Sequence, residues 1–267
     1  MLRNIILIFS LFAILVLPGC VQEKPQETVA PVTTTVAPPA TVQPPSDKLI
    51  ALGGMLYDKW WKEIADAVEP TEDQALWSTQ TINTRSGKDT WRCKECHGWD
   101  YKGIDGAYAS GSHKTGFPGV YTAAQTKTVD ELVVALKGQT NPNHDFSSVM
   151  SDEHLTTLAG FLKYGIVDMA QYIDYDTKTA KNGDVVKGKE LYENTCSMCH
   201  GADGKMINFG SDEKPKYLGA VVSGNPWETL HKVRAGQPGT AMSSSIVDQW
   251  AMQDEVDVLA YTKTLPE

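Results

Sequence analysis

The sequence predicts an all-α protein of two helical units in tandem behind an extended N-terminal segment. Three observations carry this. Apolar residues recur at threes and fours wherever a regular element can be read, as in Leu49, Leu52, Leu56, Trp60 and Ile64. A five-residue motif, C-x-x-C-H, stands twice, as Cys93-Lys-Glu-Cys-His97 and Cys196-Ser-Met-Cys-His200. Around each copy the same order of elements repeats: helix, motif, Gly-rich loop, short helix, loop, terminal helix.

The motif itself points to chemistry. Two thiols separated by two residues can reach both vinyl groups of one haem, and the adjoining His is then held beneath the iron. Both Cys pairs are followed at once by His in a chain with only 6 His. A four-cysteine zinc site would also use two C-x-x-C pairs, but the hundred-residue gap between them is far longer than zinc ribbons use. The expectation is two covalently bound haem c groups, on Cys93, Cys96 and His97 and on Cys196, Cys199 and His200.

The fifth cysteine, Cys20, indicates the compartment. Arg3 forms a short basic start, and Ile5 to Leu17 is an apolar run too short for an ordinary membrane span but suited to a signal peptide. It ends Leu17-Pro-Gly-Cys20, which resembles a bacterial lipobox and implies cleavage before Cys20 with lipid on its sulfur. Residues 1–19 are thus expected to be a signal peptide. Residues 20–46 are expected to be a lipid-anchored linker rich in Pro and Thr, able to span at most roughly 80 Å. Export agrees with thioether haem attachment, which is completed outside the cytoplasm. Every cysteine is then used, leaving none for a disulfide or a nucleophile. The formal charge is −9. That argues against nucleic acid and against electrostatic binding to anionic lipid, and it permits a basic partner.

Asp47 to Ala67 reads as the first helix. Val68 to Trp91 has no counterpart in the second unit. Its turn signals (Pro70, Asn83, Ser86-Gly87) and its Trp77 and Trp91 suggest an insertion that covers one haem face. Trp60 and Trp61 read as core. Gly98, Gly103, Gly106, Gly111, Gly116 and Gly119 suggest loop backbone lying close to a flat group. Val129 to Leu136 and Ser151 to Tyr164 complete the first unit, 47–173. Residues 174–181 are polar and read as a linker. In the second unit, 182–267, the helices fall at Trp227 to Arg234 and Asp254 to Leu265. Gly138-Gln139 matches Gly236-Gln237, and Phe161 matches Tyr261.

This order of elements resembles class I c-type cytochromes, over almost all of residues 47–267. The resemblance implies small all-α domains whose first and last helices cross at the haem edge. Gly54, Tyr57 and Phe161, and Gly188, Tyr192 and Tyr261, match those roles. It implies a proline carbonyl for each proximal His, with Pro118 and Pro215 as candidates. It also implies a methionine sixth ligand, for which Met242 fits in the second unit, ahead of Met252 and Met206. In the first unit, Met242's offset of six residues from Gly236 lands on His144 when counted from Gly138. His144 is therefore favoured over Met150, which can staple onto Leu155; His113 is third. Arg234 and Trp227 are candidate propionate partners. His154 and His231 lie on helices and read as surface residues.

The function expected is electron relay between redox proteins at a membrane surface, facing the periplasm or cell exterior, without turnover chemistry of its own. The alternative is a di-haem enzyme or its cytochrome subunit, of the peroxidase or sulfur-compound dehydrogenase type. A peroxidase needs an open site, and each unit offers a sixth ligand.

Overall fold

The computed structural model describes residues 43–267, which form one compact unit from Gln43 to Glu267. The readings of a signal peptide, of a lipid on Cys20 and of most of the Pro-rich linker lie outside the described residues.

The elements, in chain order, are α1 (Asp47–Lys59), α2 (Cys93–His97), α3 (Tyr121–Thr126), α4 (Val129–Leu136), α5 (Asp152–Tyr164), a hairpin of β1 (Ile173–Asp174) and β2 (Thr179–Ala180), α6 (Val185–Leu191), α7 (Ser197–His200), α8 (Leu218–Gly224), α9 (Pro226–Ala235) and α10 (Met252–Thr262). The fold is mostly helical, as the periodicity predicts.

The first helix stops eight residues early. Trp60 and Trp61 are both buried. A straight helix turns neighbouring side chains about 100° apart, so it could bury only one of them fully. The chain breaks at Lys59 and forms a 3-10 turn, Trp60–Lys62, which packs the two rings edge to face at 5.4 Å. In the second half nothing interrupts the run. From α6 it passes through a π-turn, Tyr192–Cys196, straight into α7. The polar stretch read as a linker is the β1–β2 hairpin, with Ile173 opposite Ala180. Asp174 Oδ1 ties its turn by accepting from the backbone N–H groups of Asp176 and Thr177.

Two helix crossings organise the core, α1 on α5 and α6 on α10. At the first, a Cβ on Gly53 would stand 2.5 Å from both Phe161 Cβ and the Thr157 carbonyl. At the second, a Cβ on Gly188 would collide with the Asp257 carbonyl and stand 3.0 Å from Tyr261 Cβ. Glycine alone permits either approach. Gly53 precedes Tyr57 by four, as Gly188 precedes Tyr192. Gly53 makes the closest backbone approach of α1 to α5, while Gly54 packs beside it, where its Cβ would stand 3.0 Å from the Phe161 ring and 2.5 Å from Ala235 Cβ on α9.

The contact of α9 with α1 joins the two halves, and it overturns the surface reading of His231. That side chain is 1% exposed. Its Nε2 lies 3.1 Å from the Gly54 carbonyl and its Nδ1 lies 2.8 Å from the Tyr101 hydroxyl. The rings of Trp99, Tyr57, Phe161 and Tyr101 surround it at 4.8–5.9 Å. Since the backbone carbonyl can only accept, Nε2 carries the proton and Nδ1 accepts from Tyr101. His154, by contrast, is half-buried at the start of α5, where the Ser151 side chain accepts from its backbone N–H. Arg234 is likewise committed to packing, paired with Glu255 at 2.7 Å and donating to the Gly165 carbonyl at 3.1 Å. Trp227 stacks edge-on against Tyr175 at 5.0 Å. Beside these contacts, Trp227 Nε1 and Arg234 Nε have no hydrogen-bond partner among the described residues.

Candidate functional site

The first motif is α2. Arg92, just before it, is paired with the buried Asp58 and with Asp89. The two intervening residues are also buried, and Glu95 is held by Lys94, Arg85 and His113. Its carboxyl is accordingly held down to about 2, against the opposing effect of its burial. His113, read as a surface or propionate-side residue, belongs to this network. Gly98 ends the helix at φ +80°, and its carbonyl accepts from the Tyr57 hydroxyl at 2.7 Å. Burial pushes the Cys93 thiol up to about 12, and Cys96 rises for the same reason. Both thiols are therefore neutral near pH 7.

His97 Nδ1 lies 2.7 Å from the Pro118 carbonyl, and His144 Nδ1 lies 3.1 Å from the Ala135 carbonyl. Both nitrogens must donate, which leaves each Nε2 lone pair free. The two rings are 6.1 Å apart, centre to centre. Two imidazoles bound to one metal from opposite sides, with metal–nitrogen bonds of about 2 Å, have ring centres roughly 6 Å apart. Burial lowers the pKa of His97 to about 4, the neighbouring His144 adds to this and the Pro118 carbonyl opposes it. The ring is thus neutral near pH 7, as metal ligation requires.

One cavity holds Cys93, Cys96, His97 and His144 together between the apolar walls of Leu76, Trp91, Phe117 and Phe146. Leu76 and Trp91 come from the segment 68–91, so the insertion does cover this site. Gln74 fixes it there, donating to the Asn143 carbonyl at 2.7 Å, one residue before His144. Met150 is buried in the same core cluster as Leu155. The donor set and the flat apolar walls fit a haem. The Gly-rich loop reaches this site through Phe117 and the Pro118 carbonyl. Gly103 and Gly119 let the loop cross itself, where a Cβ on either would strike the opposing backbone.

The second motif repeats the frame. Gly201 has φ 80° and ψ 158°, the values of Gly98, and its carbonyl accepts from the Tyr192 hydroxyl at 2.6 Å. Cys196 is half-buried, its thiol pushed up to about 11 by burial, while Cys199 is exposed. His200 stacks on Phe209 at 6.2 Å. Its Nδ1 is buried and has no partner among the described residues, so the Pro215 carbonyl does not take the part that Pro118 takes. Residues 209–216 are occupied with themselves, Phe209 N–H donating to the Lys216 carbonyl at 2.8 Å. Met242 is half-buried on the loop after α9, which is tied down by the Ser244 hydroxyl on the Arg234 carbonyl. At the first site one cavity unites all four candidate side chains. At the second the candidates stand on two segments, α7 and the loop after α9.

Residues 185–266 match the family model for cytochrome c. That stretch, α6 to α10, matches as a cytochrome c domain; the match supports a haem-based electron-transfer role and implies covalently bound haem c there. Residues 47–173 lie outside the match. Comparison of the chain with curated proteins and with solved structures gives no significant match.

Sequence reasoning missed Gly53 and His231. The four-residue spacing to tyrosine, shared by Gly53 and Gly188, was signal enough for the first. Nothing local marks His231, which Lys232 and Arg234 flank.

Proposed function

We propose that the chain is a two-haem electron carrier, anchored outside the cytoplasm by a lipid on Cys20, and that residues 47–173 form a second cytochrome c domain. The observation that carries this is the shared frame around the two motifs. A tyrosine four residues after the crossing glycine bonds the carbonyl of the glycine that ends each C-x-x-C-H, at 2.7 and 2.6 Å. In this reading Cys93, Cys96, His97 and His144 hold the first haem, and Cys196, Cys199, His200 and Met242 hold the second. When bound, each haem supplies a one-electron iron couple. The protein's own part is to position the ligands, exclude water and keep the two sites in one compact unit.

The two motifs differ in what surrounds them. Lys94 and Glu95 are buried, whereas Met198 is 83% exposed, with Met206, Ile207 and Phe209 exposed on the following loop. This supports exchange with redox partners at the second motif. The test is spectroscopic. Both haems should be six-coordinate and low-spin as isolated, and the reduced protein should not bind carbon monoxide rapidly. Rapid binding by a large fraction of the haem would instead favour an enzyme.

A further inference from the structure

The loop that carries Met242 begins where α9 ends. Gly236 turns the chain at φ +95°, and a Cβ there would stand 3.1 Å from the Met242 carbonyl, so residues 236–242 close on themselves. The base of the loop is fixed within the second half. Ser245 N–H donates to the Val233 carbonyl at 2.9 Å, and the Ser244 hydroxyl donates to the Arg234 carbonyl. Inside the loop the Thr240 hydroxyl donates to the Gln237 carbonyl at 2.9 Å and accepts from Met242 N–H at 3.2 Å.

The tip of the loop is held from the first half. Gly239, at φ +73°, donates its N–H to Glu63 Oε1 at 2.7 Å, although 176 positions separate the two residues. The Lys62 stem lies over the same glycine, where a Cβ would stand 3.3 Å from Lys62 Cβ. Met55 Sδ lies beside the start of the loop, 3.5 Å from where a Cβ on Gly236 would stand. Lys62 and Glu63 belong to the turn that ends α1, in which Trp60 and Trp61 are buried and Glu63 N–H donates to the Trp60 carbonyl at 3.1 Å. A carboxylate that accepts a backbone N–H makes a charge-assisted bond, stronger than a neutral one.

We propose that Glu63 is a positioning residue for the second site: by clasping Gly239 it sets how readily Met242 leaves the iron, and so places access to the second haem under the control of the first half. This rests on the reading of Met242 as a ligand of that haem. Glu63 touches no ligand and acts through the loop alone. A ligand on a loop is released by local opening, which breaks far fewer contacts than global unfolding does. Each bond that must break for the loop to open lowers the open fraction, and one hydrogen bond changes that fraction about three- to tenfold.

The experiment compares the full-length haem-loaded protein with its Glu63→Ala and Glu63→Gln variants. Native-state hydrogen exchange at the Gly239 amide reads the clasp. Slow carbon monoxide uptake by the reduced second haem reads the ligand, because Met242 must leave the iron first; rapid uptake in a Met242→Ala variant assigns that phase. Glu63→Ala should speed both about three- to tenfold. Glu63→Gln keeps an acceptor oxygen and should lie nearer the parent than Glu63→Ala does. If Gly239 exchange is unchanged in Glu63→Ala, there is no clasp. If exchange speeds but carbon monoxide uptake does not, Glu63 holds the loop without positioning the ligand, and the proposal is equally overturned. A parent without the sulfur-to-iron charge-transfer band would overturn the assignment of Met242 itself, a failure told apart from a missing clasp because Gly239 exchange would still respond to Glu63→Ala.

Discussion

His231, on α9 of the second half, accepts a hydrogen bond from the Tyr101 hydroxyl of the first half at 2.8 Å, with both residues 1% exposed. The pair ties the two halves together across their junction. Replacing His231 by Ala removes a buried ring and both its bonds and should cost about 3–5 kcal/mol, the range for buried aromatics. Tyr101→Phe orphans only one nitrogen and should cost about 1–3 kcal/mol. Urea denaturation followed at the haem and by circular dichroism measures both. Two separate transitions in the parent would show that the junction does not couple the halves.

The same histidine gives a pH dependence. Burial lowers its pKa to about 4 from the ordinary imidazole value of about 6.5, against the opposing pull of Asp58, the Gly54 carbonyl and Glu228, and with Lys232 adding to the lowering. The unfolded chain therefore takes up a proton at this side chain at higher pH than the folded one does. Stability from this group is complete above about pH 6.5 and falls as pH drops towards 4, by up to roughly 3 kcal/mol. His231→Gln should be less stable than the parent near pH 7, and the gap should narrow as pH falls through that window. A constant gap would mean that the ring takes up its proton as readily in the folded protein as in the unfolded chain.

The helix crossings test the internal symmetry. Gly53→Ala and Gly188→Ala each place a methyl group against a carbonyl of the opposing helix and should cost about 1–3 kcal/mol or more. Thermal melting should show comparable losses for both. A neutral Gly53→Ala would mean that α1 and α5 do not cross as α6 and α10 do.

Much of this was legible in the sequence, and what was not has physical causes. α4 spans Val129 to Leu136 as read from the sequence, its start fixed by the Thr128–Glu131 capping box, and α5 starts just after Ser151, whose side chain caps it. Local signals decide such elements. The Pro118 bond to His97 is what the resemblance implies, and the cavity pairing of His97 with His144 agrees with counting along a repeated plan. The early end of α1 was not legible, because it depends on where two adjacent tryptophans can be buried. Nor was His231, whose partners Tyr101 and Gly54 lie more than a hundred residues away, or Arg234, which bonds Glu255 and the Gly165 carbonyl through tertiary packing.

At the first site, His144→Ala should open the haem to carbon monoxide, while Met150→Leu, a volume-conserving core change, should leave it closed. A second imidazole favours Fe(III) and a methionine sulfur favours Fe(II), so reductive titration should give two separated waves, the lower from the first site. Met242→His should lower the upper wave and remove the sulfur-to-iron charge-transfer band. If Met150→Leu opens the first site and His144→Ala does not, methionine is the ligand there.

At the N-terminus, Cys20→Ser should move the protein from the membrane fraction to the soluble fraction, since stable attachment requires the acyl chains. Partitioning unchanged from the parent would show that another anchor holds the chain.

The number of covalent haems decides whether residues 47–173 are a second cytochrome c domain. Intact mass of the purified protein after acid–acetone extraction should exceed the processed polypeptide by two haems, and by one haem in a Cys93→Ala, Cys96→Ala double variant. A parent mass with a single haem, unchanged by that double substitution, would contradict the two-haem reading.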